Sequence, residues 1–165
     1  MNATIVIAIG IIVVIALVVW MLTAAARKEA KKKKQEISIK LEQLAAQDGR
    51  TLGDIDFLGR RAIATDTSGQ AVYYVDNSEL VMQQQGFAIA DATGCSLVQS
   101  GSRHIENARS GKTKVEEHIS NIQLLVTLRG GTQVSLHFYD EVKDGILELL
   151  PLREKAKHWN GIIKG

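Results

Sequence analysis

One cysteine, Cys95, and one proline, Pro151, stand in 165 residues. A lone cysteine excludes an intrachain disulfide and suits a reducing compartment. A lone proline excludes long Pro-rich disordered tracts. Positive charge is missing where a nucleic-acid binder would need it. The formal net charge is +2, yet from residue 49 onward 13 Lys+Arg face 14 Asp+Glu, a net of −1. Phosphate neutralisation supplies most non-specific nucleic-acid affinity, so no nucleic-acid partner is expected.

Chemical motifs are also scarce. His104, His118, His137 and His158 are scattered, and none has metal-ligand spacing with Cys95 or with another histidine. Ser110-Gly111-Lys112-Thr113 resembles the end of a phosphate-binding loop, but Glu106 stands where that loop needs glycine. Glu116-Glu117 and Asp140-Glu141 are adjacent in sequence, so neither pair converges as an acid/base pair would. A solvated face explains them, and solvation likewise explains His137 on the polar side of a strand. Cys95 reads as a small buried residue. The expectation is a non-enzymatic protein with no catalytic residue, no metal and no cofactor.

What is present is an uncharged run. No Asp, Glu, Lys or Arg occurs from Ala3 to Ala26, and the centre is almost wholly Ile, Val, Leu and Ala. About 20 such residues cross about 30 Å of hydrocarbon as a helix, which satisfies every backbone group within the segment. Residues 5–23 are expected to span, with Ile5, Ile9, Ile12, Ile15 and Val19 in lipid and Trp20 at the interface. The competing reading is a cleaved signal peptide ending at Ala24-Ala25-Ala26. It is disfavoured because residues 1–4 carry no Lys or Arg, the apolar run is too long, and the positive charge follows the run. Arg27, Lys28, Lys31, Lys32, Lys33 and Lys34, with Glu29 between, give a local +5. The positive-inside rule then sets the N-terminus outside and the rest in the cytoplasm, a single pass through a bacterial inner (plasma) membrane. These six cations serve as a topology signal or grip anionic lipid headgroups.

Three segments follow: a transmembrane anchor at 1–26, a basic helical stalk at 27–48 and a β-rich domain at 49–165. The stalk lacks Gly and Pro until Asp48-Gly49, and Ala30, Lys34, Ile37, Leu41 and Leu44 fall on one helical face. That stripe suits either a short coiled coil or packing on the chain's own domain. In the domain, short Val/Ile/Tyr-rich runs alternate with Gly, Asn, Asp and Ser. Strands are predicted at 52–58, 61–65, 71–75, 86–90, 95–99, 121–128 and 132–138, with a tight Gly130-Gly131 hairpin turn. Residues 101–118 are predicted to be a long exposed loop or a strand-extending hairpin. A last amphipathic helix is predicted at 151–163, with Pro151 at its first position and Trp159 docked on the sheet.

This element order, with Val134-Ser-Leu-His-Phe-Tyr139 followed by Arg153-Glu-Lys-Ala-Lys-His-Trp159, resembles the pleckstrin-homology-like superfold. The fold class implied is a transmembrane helix plus an α+β (mainly β) domain. That domain would be an antiparallel, partly open barrel of about 6–7 strands capped by a C-terminal helix. The resemblance implies a binding or scaffolding module and carries over no lipid specificity. A protein partner is therefore expected, captured by a sheet edge or by the 101–118 segment through Arg103, His104, Arg109, Lys112 and Lys114. The alternatives are an anionic-lipid module that adds Arg60 and Arg61 to the lysines, or a structural subunit of an envelope or secretion assembly.

Overall fold

Two neighbouring strands are apolar on both faces, and the rest of the domain is arranged to cover them. The computed structural model describes residues 3–107 and 113–165, with side chains described outside 3–16, 18, 22, 24–26, 103–107 and 113–117. The chain divides into two compact units, Met1–Glu36 and Ile37–Gly165. Helix α1 runs from Ala3–Gln47. Seven strands follow: β1 (Leu52–Leu58), β2 (Arg61–Asp66), β3 (Ala71–Asp76), β4 (Gln83–Ala88), β5 (Ala92–Asn107), β6 (Thr113–Leu128) and β7 (Gln133–Asp140). A one-turn helix α2 (Glu141–Asp144) and a 3-10 turn at Ile146–Glu148 lead into α3 (Leu149–Lys164).

The first unit consists of the α1 residues before Ile37. Val19 and Trp20 are exposed on it, and the side chains of Ile5, Ile9, Ile12 and Ile15 lie outside the described set. Among the described residues no helix is long and apolar enough to cross a membrane. The spanning assignment therefore stands on the sequence argument.

The second unit is an α+β domain of seven antiparallel strands in two sheets, ordered β1-β2-β3-β4 and β5-β6-β7, with α3 packed against them. The expected partly open barrel is corrected to two separate sheets. A 3-10 turn at Ile89–Asp91 separates β4 from β5 along the chain, and its ends bond to different sheets, Ile89 N–H to Gln70 O and Arg129 N–H to Asp91 O. The main core lies between the sheets and α3. Ile63, Val72 and Tyr74 meet Leu124, Val126 and Phe138, and Leu152, Ala156, Trp159 and Ile163 of α3 close the end. Each such aliphatic side chain contributes about 1.5–3 kcal/mol by leaving water.

The other face of the four-stranded sheet carries Ala62, Ala64, Ala71, Tyr73 and Val75, and the α1 residues Ile37, Leu41 and Ala45 bury it. Small residues let the helix approach. At Gly86 a Cβ would lie 3.0 Å from the Tyr73 ring and 3.8 Å from Leu44. The stalk stripe thus packs on its own sheet from Ile37 onward, whereas Ala30 and Lys34 are exposed. The Tyr73 hydroxyl donates to Asp48 at 3.0 Å. Burial and that carboxylate push its pKa up to about 12.

Several strand limits differ from the sequence reading. β4 begins at Gln83 because its three glutamines sit on an edge, where no apolar signal marks a strand. The 101–118 segment is a strand-extending hairpin, β5 paired with β6 as far as Asn107↔Thr113. α3 starts two residues before Pro151, which falls in the first turn where a missing N–H leaves no intrahelical bond unmade. His137 is half-buried rather than simply solvated, because the inter-sheet corner folds over it. Burial lowers its pKa.

Candidate interaction site

The β5–β6 ladder is longer than the sheet that contains it. β7 accompanies β6 only from Thr127↔Gln133 to Asn121↔Asp140. Beyond that, β5 and β6 continue as a two-stranded arm, from Gly101↔Ile119 to Asn107↔Thr113. A third strand flanks neither side of it among the described residues. A two-stranded ribbon alone is marginal in water, and its free edges carry N–H and C=O groups ready for another strand.

The base of the arm is built specifically. The register shifts between Ser100 and Gly101, a bulge that re-aims the ladder. Gly101 is required there, since a Cβ would collide with the His118 carbonyl. Ser120 Oγ donates to Ser100 O at 3.1 Å, and His118 Nε2 lies 2.8 Å from Glu141 Oε2 on α2. The sequence-predicted binding residues are dispersed over this arm. Register sets Arg103 opposite Glu117, His104 opposite Glu116 and Lys114 opposite Glu106. Each of these basic positions therefore faces an acid across the ladder, so the arm strands are not a basic stripe. Arg109 and Lys112 lie outside the described residues.

The residues that sequence reasoning missed form a buried charge cluster beside α2. Arg61, 1 % exposed, opens β2. Its Nε donates to Asp76 at 3.1 Å and its Nη1 donates to Asp144 at 2.7 Å. Asp144 also accepts from Asp140 N–H at 2.8 Å. The Tyr74 hydroxyl donates to His137 O at 2.8 Å and accepts from His137 N–H at 3.1 Å. Burial works against the Arg61 charge, but Asp144 and Asp76 outweigh it and raise the pKa. A cleft of about 90 Å³ beside the cluster is lined by Glu79, Gln83, Asn121, His137 and Lys143. The only sequence signal was an Asp at a strand end beside a turn, which is too common to mark a site.

Arg61 is thus spent in ion pairs, and the expectation that Arg60 and Arg61 grip lipid together is corrected: only Arg60 is exposed. The stalk cations Arg27, Lys28 and Lys31–Lys34 are exposed on α1. A second carboxylate knot lies at the opposite end of β2. Burial alone would raise the Asp66 pKa, but Ser68, the Ala71 and Gln70 amides and Arg50 hold it well below the carboxylate range. A groove of about 380 Å³ runs between β1 and α3. Its central carboxylate, Asp56, is taken by Lys155 and by Trp159 Nε1 at 3.1 Å. That groove is a helix-docking joint. Among the described residues no three His, Cys, Asp or Glu side chains are placed to hold a metal.

No family model, no curated protein and no solved structure matches this chain.

Proposed function

We propose that the chain is a non-enzymatic interaction module, tethered by its N-terminal helix to the cytoplasmic face of a bacterial inner membrane, that captures a partner protein by strand addition. The observation that supports this most is the arm: two strands project past β7 with unpaired edges, on a base fixed by the Gly101 bulge. Strand addition gives affinity through backbone bonds. The order of four strands, three strands and a C-terminal helix supports a pleckstrin-homology-like reading of the domain.

The test uses the full-length chain in its membrane, carrying a photo-crosslinking residue at Ile105 or Val115. Crosslinks to a protein are expected there, and replacing residues 103–117 by a short turn is expected to abolish co-purification of that protein. Unchanged co-purification from the shortened chain removes the arm from the mechanism. Orientation is checked separately: a reporter active only outside the cytoplasm, fused after Gly165, is expected to be silent.

The second reading, recognition of anionic headgroups, is favoured by the exposed run Lys31–Lys33 next to an uncharged segment. It would reveal itself as vesicle binding by residues 27–165 that falls steeply with salt.

A further inference from the structure

The β6 edge of the arm is open over a short and well-defined length. β7 stops at Asp140, opposite Asn121. α2 follows, and its Glu141 Oε2 lies 2.8 Å from His118 Nε2, so the edge is occupied as far as His118. The strand itself begins at Thr113. Residues 113–117 are left, with no strand beside them on that side among the described residues. Their midpoint is Val115.

That stretch reads Thr-Lys-Val-Glu-Glu, and it is complementary to itself. Laid antiparallel against a second copy about Val115, it sets Val115 opposite Val115 and, twice by symmetry, Lys114 opposite Glu116. Opposite charges directly across a ladder stabilise it, and like charges destabilise it. No neighbouring register does as well. A slip of one residue sets Val115 opposite Lys114 or Glu116, and a slip of two sets Lys114 opposite Lys114 or Glu116 opposite Glu116. The register that uses the whole open edge is thus also the one that pairs its charges.

The other strand of the arm extends the match. Ile105 lies opposite Val115, Glu106 opposite Lys114 and His104 opposite Glu116. Residues directly opposite share a face, and successive residues alternate faces. Two arms joined at β6 therefore make four strands, ordered β5-β6-β6-β5. One face carries the row Ile105, Val115, Val115, Ile105. The other carries Glu106, Lys114, Glu116, His104, in which acids alternate with Lys114 and His104. A two-stranded ribbon is marginal in water, and three or more strands with an apolar face are needed for independent stability. A second arm supplies both.

We propose that the partner taken up by the arm is a second copy of this chain, joined by antiparallel pairing of the two 113–117 edges about Val115. This rests on the strand-addition reading and names its partner. The same patch serves on both copies, so the contact closes at a dimer.

The test uses the full-length chain in its membrane, with Cys95→Ala to remove the native thiol. Val115→Cys is expected to form an interchain disulfide under mild oxidation. Ile105→Cys is expected to form none, since three strand spacings put the two copies about 14 Å apart. Co-purification of differently tagged copies is expected to fall about tenfold with Lys114→Glu and with Glu116→Lys, because each change turns both Lys–Glu pairs into like pairs. Co-expressing the two variants makes every cross-copy pair complementary again, and recovery of the mixed dimer is expected. No recovery overturns the register and the proposal. A disulfide at position 105 instead of 115 assigns the contact to β5 and overturns it. A disulfide at 115 that neither charge change weakens reports collision alone and also overturns it. If a photo-crosslinking residue at Val115 captures a different protein while no link forms between copies, strand addition stands and the second copy is overturned. If neither Ile105 nor Val115 captures any protein, strand addition and this proposal fall together.

Discussion

The β2–β3 and β5–β6 hairpins are both antiparallel and both close onto the same core, yet they end differently. In β2–β3 both faces are covered, one by the opposing sheet and α3, the other by α1. Even its charged ends are buried, Arg61, Asp66 and Asp76 each at most 5 % exposed. In β5–β6 the ladder runs past the end of β7, with no third strand beside it among the described residues. The first hairpin can hold charge out of water because each ion meets a fixed partner. The second keeps its backbone edges available, which is what a binding element needs. One strand pair is built for stability, and the other is the element proposed above for contact.

The contrast breaks most sharply at Arg61. Arg61→Leu leaves Asp76 and Asp144 buried without a counter-charge and is expected to cost about 3–5 kcal/mol. The urea midpoint of the full-length chain in detergent measures it. The exposed pair Lys143–Glu79 serves as control, with Lys143→Ala expected to cost under about 1 kcal/mol.

Next comes the helix that covers the outer face. Leu41→Ala is expected to lose about 2–5 kcal/mol, and Ile39→Ala, on the exposed side, no more than about 0.5 kcal/mol. Equal losses would mean that the stalk does not hold the sheet.

Third is Asp66. Asp66→Asn is expected to lose about 2 kcal/mol by weakening its bonds to Arg50, Ser68 and two amides. Its pKa is depressed in the fold from an ordinary 3.8, so its stabilisation is complete above that value and is lost as pH falls through the lower folded value. The variant is therefore expected to show a shallower acid limb in a pH series of the urea midpoint. His137 acts earlier. Burial depresses its pKa below 6.5, so stability begins to decline as pH drops beneath that value, and His137→Gln is expected to remove that part of the slope.

The smallest effect is expected at the arm. Replacing residues 103–117 by a short turn is expected to change stability by less than about 1 kcal/mol, since an isolated ribbon contributes little. A loss as large as that of Leu41→Ala would make the arm part of the core and break the comparison.

Much of this was legible in the sequence. Period-2 runs and Gly turns located all seven strands, five of them within about three residues at each end, while β5 and β6 run eight residues further into the arm; 3.6-residue spacing found α3 with Trp159 inward. The glutamine-rich start of β4 was hidden because an edge strand without apolar residues has no pattern to read. The arm was open between loop and hairpin because its polar residues fit both. Arg61 was invisible as a buried group, since an arginine at a strand start usually faces water.

By itself the sequence determined the uncharged N-terminal run, the basic flank beside it and the alternation that makes strands, because these depend only on local composition and periodicity. Tertiary structure alone decided that Ile37, Leu41 and Ala45 close over a sheet and that Arg61 bridges two aspartates 68 positions apart. Those outcomes depend on which surfaces meet, and burial and ion pairing act between residues whose distance along the chain carries no information about their distance in space.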